Sequence, residues 1–261
     1  MSKLLTSSNA DYHADREYLS SSLFKMLYEN PKEYYHKIIL GHNEQKEAAH
    51  FDEGSYIHTM ILEPHKLNDY AIFPGLRKQG AAWEEFKELN KGKTILSMPQ
   101  KTRCEVLYKS YDEHIIATRM MAHGLSEHTM LSQFRDIKVK ARADFINVTE
   151  GYIVDVKTTG SPSGAEIFKH TVEQYKYDLS AALYCHIAEQ TYNKPFAFYW
   201  LVLSKEDWQC RFYKVSKGTM ITGAHKLSIA AANYKKCLET GEWIDHCQGK
   251  DDTDLSEIQE I

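Results

Sequence analysis

Residues 141 to 160 read ARADFINVTEGYIVDVKTTG. Apolar and polar positions alternate on either side of Thr149, Glu150 and Gly151, the pattern of two strands joined by a tight turn. Strand side chains alternate, so Asp155 and Lys157 share one face while Val154 and Val156 point to the other, into a core. With the turn centred on Thr149 and Glu150, Asp144 falls opposite Asp155, and opposed residues bring their Cβ atoms to roughly 5 Å. Two carboxylates that close repel unless a cation sits between them, and hard oxygen ligands suit Mg²⁺ or Mn²⁺. Lys157, beside such an ion, is placed to hold or help deprotonate a water whose pKa the metal has lowered, the equipment for hydrolysing a phosphodiester. An exposed hairpin with Asp155 and Lys157 on a solvated face is the bland alternative, and the rest of the chain decides between the two.

Outward from the hairpin, the chain reads as helices before it and a mixture after it. Tyr18 to Gly41 carries Leu23, Met26 and Leu27 at helical spacing behind a run of serines, and Pro31 starts a second short helix. Gly41 to Ala48 is polar and reads as a loop. Phe51 to Leu62 is helical again until Pro64 stops it, and His58 lies on that helix. Pro64 to Lys101 is broken by Pro74, Gly75, Gly80 and Gly92, so irregular connections are expected with one short helix near Trp83 to Leu89. One long helix over Thr102 to His123 follows, then strands over Thr129 to Phe134, Ile137 to Val148 and Gly151 to Thr158. Glu166 to Tyr192 reads as a single helix burying Ile167, Val172, Tyr175, Leu179, Ala182, Leu183 and Ile187. A second hairpin, Phe196 to Leu203 and Trp208 to Val215, precedes a helix over Met220 to Leu238.

With 261 residues, 43% hydrophobic and 26% charged, the chain can bury a substantial core. The net charge of −4 advertises no polyanion globally, although a local basic track can still bind one. The longest apolar run, FAFYWLVL (Phe196 to Leu203), falls far short of the roughly 20 residues needed to span a bilayer. The first residues, MSKLLTSSNADYH, have no apolar signal core, so a cytoplasmic location is expected, that of a bacterial host if the gene is a phage's. Five cysteines (Cys104, Cys185, Cys210, Cys237 and Cys247) without a CxxC argue against a disulfide framework, a zinc ribbon or a cysteine-held iron–sulfur cluster.

An aspartate, ten residues, then D-x-K, on a hairpin followed by a helix, is the motif of the PD-(D/E)XK nucleases, and the chain resembles that superfamily over most of its length. More narrowly, GSYIHTMILEP (Gly54 to Pro64), RADF (Arg142 to Phe145), YIVDVKTT (Tyr152 to Thr159) and YKYDLSAALY (Tyr175 to Tyr184) resemble the motifs of RecE-type exonucleases, exonuclease VIII and its phage relatives. SSSLFKMLYENPKEYY and TGEW (Thr240 to Trp243) extend the likeness to roughly residues 18 to 245. The resemblance implies an α/β, restriction-endonuclease-like core: a central mixed β-sheet flanked by helices, with an N-terminal helical region. One domain is expected over 1–248, with 18–125 mainly helical and carrying His58, and 126–248 supplying the catalytic sheet and its helices; 249–261 reads as a mobile acidic tail.

The same resemblance implies residue roles. His58, Asp144 and Asp155 would be metal ligands, Val156 a ligand through its backbone carbonyl, and Lys157 the catalytic lysine, with one or two Mg²⁺ for which Mn²⁺ can substitute. Tyr184 matches the tyrosine of a Q-x-x-x-Y helix motif whose glutamine is Ser180 here, and Lys176 would extend that face toward metal or DNA. Ala143 replaces a proline common before the aspartate. Glu127, placed in the loop before the first strand, is a further acidic candidate near the metal. Lys138, Lys140 and Arg142 alternate on the face of Asp144, where they can lead a phosphate backbone inward or simply be solvated. The implied activity is degradation of the 5′ strand of linear duplex DNA, leaving 3′ single-stranded tails for a strand-annealing recombinase, by a ring-forming homo-oligomer. The alternatives are an endonuclease or single-strand nuclease on the same fold, and a non-catalytic DNA-binding or inhibitory protein.

Overall fold

The computed structural model describes residues 3–4, 12, 15–42 and 50–244. Strand β1 (Lys3–Leu4) precedes helix α1 (Ser21–Glu29), the short helix α2 (Pro31–Tyr34) continued by a π turn (Tyr35–Ile39), and helix α3 (His50–Leu62). A 3₁₀ turn (Pro64–Asp69), β2 (Tyr70–Phe73), α4 (Ala81–Leu89), β3 (Thr94–Ser97), α5 (Met98–Asp112) and α6 (Ile115–Met120) follow. Next come β4 (Leu125–Phe134), β5 (Ile137–Asn147), β6 (Tyr152–Thr159), α7 (Ala165–Tyr175) and α8 (Tyr177–Tyr192). The chain closes with β7 (Ala197–Ser204), β8 (Cys210–Lys214) and α9 (Lys217–Thr240). The stretches 43–49 and 245–261, on which most of the expected polar loop and the whole acidic tail fall, lie outside the described residues.

Six strands form one mixed sheet in the order β1-β4-β5-β6-β7-β8, and β2 and β3 form a separate parallel pair. Phe145 pairs with Val154 and Asn147 with Tyr152, the register that sets Asp144 across from Asp155. The β6 and β7 strands run parallel, with Asp155 beside Trp200 and Lys157 beside Val202, and α7 and α8 make the crossover between them. Both faces of the sheet are covered. Ile146, Ile153 and Val202 pack with Phe24 and Leu27 of α1, Leu179 and Leu183 of α8 and Leu227 of α9. Val154 and Val156 pack on the other face with Tyr56 and Ile57 of α3 and Leu107 of α5. Each fully buried Leu, Ile or Phe contributes about 1.5–3 kcal/mol by leaving water.

The hairpin turn depends on Gly151. Its φ is +75°, its amide donates to Asn147 O at 2.9 Å, and a Cβ there would stand 2.9 Å from Pro195 O. A left-handed backbone costs a residue with a side chain roughly 1–2 kcal/mol, and the backbone carbonyl has little freedom to retreat. Gly151→Ala is therefore expected to lower the melting midpoint by about 2–8 °C, given about 2–4 °C per kcal/mol for a chain of this size. An unchanged melt followed by circular dichroism would show that the turn does not need glycine.

The elements depart from their sequence expectations at four places. The helix expected over Thr102 to His123 starts earlier and breaks after Asp112, because His114 begins a new helix by accepting the Ala117 amide on Nδ1 at 3.2 Å. The helix expected over Glu166 to Tyr192 breaks at Lys176, which takes φ 49°, and the break leaves Ile167 and Tyr175 outside the buried stripe at 42% and 53% exposure. The region expected to be irregular, Pro64 to Lys101, contains the β2–β3 pair, whose four-residue strands are too short to stand out by periodicity. Strand β4 begins at Leu125, four residues before the expected start, so Glu127 belongs to the sheet and not to a loop. Among the described residues no helix is long and apolar enough to cross a membrane.

Candidate active site

Three strands and one helix deliver the candidate side chains. From β5, Asp144 Oδ2 accepts the Val156 amide of β6 at 2.7 Å, which draws its carboxylate onto the neighbouring strand. From β6, Asp155 Oδ2 meets Lys157 Nζ at 2.6 Å. From β4, Glu127 lies across from Asp144, between the pairs Ser126–Phe145 and His128–Ala143. Its φ of 51° is a left-handed value that residues with side chains seldom adopt outside strained or functional sites. Arg142 Nε donates to Glu127 Oε2 at 2.5 Å and so fixes the direction of that carboxylate. From α3, His58 Nδ1 comes to 3.8 Å from Asp144 Oδ2, and its ring also reaches the Val156 carbonyl as a hydrogen-bond donor. Helix α3 can lie this close because residue 54 is glycine: a Cβ there would sit 3.2 Å from Thr158 Oγ1 of β6.

Ligand atoms of His58, Glu127 and Asp144 all lie within 4.8 Å of one another, one nitrogen and two carboxylate oxygens around a point that can hold a divalent ion. Asp155 stands outside this trio and carries Lys157 instead. The electrostatics fit a cation. Burial, followed by the negative charge of Asp155, raises the Asp144 pKa to about 8. Burial and the Lys157 ammonium lower His58 to about 4, leaving it neutral with a free lone pair for a metal. Burial alone would pull Lys157 down, but the Asp155 and Asp144 carboxylates outweigh it and hold its pKa above the ordinary lysine value. The donor set and its unbalanced charge are those of a site for a hard divalent ion.

A cleft of about 690 Å³ opens on the His58 and Glu127 side, bounded by Gly54, Arg142, Thr158 and Lys205 and reaching Lys66 and Tyr70. That volume accommodates nucleotides. Tyr184 is half-buried near the carboxylates, with its hydroxyl hydrogen-bonded to Ser21 of α1, and burial pushes its pKa well up. Ser180 stands one turn before it on α8, half-buried. The basic track is mostly occupied. Lys138 pairs with Glu17, and Lys140, only 3% exposed, donates to the Tyr12 and Asp15 carbonyls. Lys176 does not extend the face of Ser180 and Tyr184, because the helix breaks at this residue and its ammonium pairs with Glu29 of α1. Two neighbours escaped the sequence reading: Lys25 of α1 and Tyr177 at the start of α8, whose ring lies 5.0 Å from both Lys25 Nζ and Lys157 Nζ. Lys25 sits in the serine-led SSSLFK helix and Tyr177 in YKYD, motifs noticed for their resemblance but not for these side chains.

No curated protein matches the chain. Among solved structures it is similar to a provisionally named exonuclease from Eubacterium rectale, with 18% identity, 89% of this chain and 88% of that one covered, and a TM-score of 0.64. That likeness concerns the fold. It is more distantly similar to a phage-related exonuclease from Haemophilus somnus 129PT, with 10% identity, coverage of 82% and 96%, and a TM-score of 0.35. The α/β fold, with its mixed sheet flanked by helices, is that of the PD-(D/E)XK proteins, as the match to a PDDEXK-like family model shows. A family match covers residues 20–254, and the chain belongs to that family, described as the PDDEXK-like domain of unknown function (DUF3799).

Proposed function

We propose that the protein is a metal-dependent deoxyribonuclease that degrades the 5′ strand of linear double-stranded DNA and leaves 3′ single-stranded tails. The observation that carries this reading is the convergence of Asp144, Asp155, Lys157, His58 and Glu127 from four separate elements on a PD-(D/E)XK fold. A structural ion pair needs no such assembly, and a binder without chemistry would not need the paired Asp155 and Lys157 set beside the His58, Glu127 and Asp144 trio. Exonuclease polarity and the supply of tails to an annealing recombinase rest on the resemblance to RecE-type enzymes, as does assembly into a ring. The Eubacterium rectale neighbour, named as an exonuclease, agrees with a nuclease reading.

His58, Glu127, Asp144 and Asp155, with the Val156 carbonyl, would hold one or two Mg²⁺. A divalent ion there would supply positive charge to the scissile phosphate and acidify a water. The chain's own groups do the positioning. Lys157 presents an ammonium that hydrogen-bonds a phosphate oxygen or the attacking water and offsets charge building on phosphorus. Asp155 aims that ammonium at 2.6 Å, and Arg142 keeps the Glu127 carboxylate turned toward His58 and Asp144. The cleft beside His58 admits the duplex backbone, with Lys205 and Lys66 on its walls for phosphate contacts.

End-labelled linear duplex, covalently closed circles and single strands, each incubated with Mg²⁺ or EDTA, test the reading. Release of nucleotides from linear 5′ ends, with Mg²⁺ only, is the expected result. Cutting of closed circles would make the enzyme an endonuclease, and metal-independent retention without cleavage would make it a binding protein.

A further inference from the structure

Tyr177 stands at the join of two helices, and its surroundings form a surface outside the cleft lined by His58 and Glu127. Lys176 takes a left-handed backbone between Tyr175 and Tyr177. Residues two apart on a continuous helix do not face each other, but this break lets the two rings stack at 5.7 Å and 23°. Tyr177 in turn leans on Phe168, with ring centres 6.4 Å apart, so an aromatic ladder runs from the core to Tyr175. Tyr175 is 53% exposed.

The charges beside the ladder are unbalanced. Lys157 has Asp155, Lys176 has Glu29 and Lys226 has Asp178, whereas Lys25 makes no direct ion pair among the described residues and feels those same three carboxylates only at longer range. Its ammonium instead shares the Tyr177 ring with that of Lys157, each 5.0 Å from the ring centre. Two half-buried ammoniums facing one ring repel; Asp155 neutralises Lys157, so the charge left to attract an incoming anion is that of Lys25. The Lys176–Glu29 pair ties the helix carrying Lys25 to the junction carrying the two tyrosines, so the cation and the stacking face are held as one unit. An anion next to an exposed flat aromatic is the chemistry of a nucleotide: phosphate on lysine, base on tyrosine.

We infer that this face seats an unpaired nucleotide of the cut strand next to the scissile phosphate, with Lys25 contacting its phosphate and Tyr175 stacking its base. The inference rests on the nuclease reading above and adds to it a single-strand subsite that would hold the strand end open for attack. A solvated tyrosine and an idle lysine would leave binding untouched by their loss. Stacking and charge neutralisation would not.

The test is anisotropy of a short fluorescein-labelled DNA single strand in Ca²⁺, with Lys25→Gln, Lys25→Arg, Tyr175→Ala and Tyr175→Phe compared with wild type, followed by KM on linear duplex in Mg²⁺. Tyr175→Ala and Lys25→Gln are each expected to weaken single-strand retention about tenfold and to raise KM, while Tyr175→Phe and Lys25→Arg retain it. The slope of log affinity against log salt should fall by about one for Lys25→Gln and stay unchanged for Tyr175→Ala. Wild-type retention by both Tyr175→Ala and Lys25→Gln would overturn the inference. If Lys25→Gln melts early, the exposed Tyr175 pair decides alone. A wild-type protein that holds the single strand but cuts no DNA would sink the nuclease reading and leave the subsite standing; one that cuts, with variants indistinguishable from it, would do the reverse.

Discussion

Lys157→Ala is expected to lower the rate of linear duplex cleavage by about 10²–10⁴-fold, the range for losing a positioned proton-handling or charge-stabilising group. The side chain holds Asp155 at 2.6 Å, lies over Tyr177 and stands beside the proposed metal trio, a position that Lys25, on the same ring but in no direct ion pair with Asp155, does not occupy. The variant has a second consequence. Asp155 is 7% exposed, and without its lysine it becomes a buried carboxylate that has lost its one direct ion pair, with only the longer-range charge of Lys25 to offset it. Lower thermal stability in EDTA is therefore expected, with recovery when Mg²⁺ is added, because the ion takes over the neutralisation. End-label release in Mg²⁺ measures the first effect and melts with and without metal measure the second. Wild-type turnover by Lys157→Ala would remove this residue from the reaction altogether.

Asp144→Asn should cost on the order of 10³-fold in cleavage, several kcal/mol of charge stabilisation being lost with the ligand. The amide keeps an oxygen for the Val156 N–H, so the β5–β6 contact survives and the loss is one of charge. Its signature is in the pH dependence. In the folded, metal-free chain the Asp144 pKa is raised from 3.8 to about 8, so its contribution to stability is fully present at low pH and is lost as pH rises through about 8. His58, lowered from 6.5 to about 4, acts oppositely: stability grows between those two values as the unfolded imidazole gives up its proton. Between about 6.5 and 8 Asp144 is left alone, and stability in EDTA should decline with rising pH. A divalent ion competes with that proton, so the rise in melting midpoint on adding Mn²⁺ should grow over the same interval. Asp144→Asn should flatten both trends. Unaltered trends in the variant would locate the titrating group elsewhere.

The hairpin was legible because two independent signals agree on it, period-two alternation on both strands and a glycine where the turn needs a positive φ. Asp144, Asp155 and Lys157 follow from that register alone. His58 does not, since helical spacing says which face a histidine takes but not which strand the helix will cross; only the resemblance pointed to it. SEHTM has weak strand character and reads as a loop, and the part of Glu127 in the trio depends on pairing with β5 across a left-handed residue that no propensity predicts. Lys176 shows the same limit. Neither proline nor glycine marks the break at YKYD, and the lysine adopts a costly backbone that its contact with Glu29, distant in sequence, helps to hold. Lys140 reads as part of a phosphate track because alternation reports a face, not what covers it, and the Tyr12 and Asp15 carbonyls take its ammonium here.

The contact of α3 with β6 is closed up by an atom that is missing. At residue 54 the helix rests on Thr158 with only hydrogen in between, and a methyl group would have to push its neighbour back by a few tenths of an ångström. His58 rides one turn further along the same rod. Adding a carbon at position 54 would thus, unless the Thr158 hydroxyl turns aside, act as a shim, widening the gap between imidazole and carboxylates without altering any donor atom. Ions that differ in radius by a similar amount, as magnesium and calcium do, would be re-ranked by a spacer that never touches them.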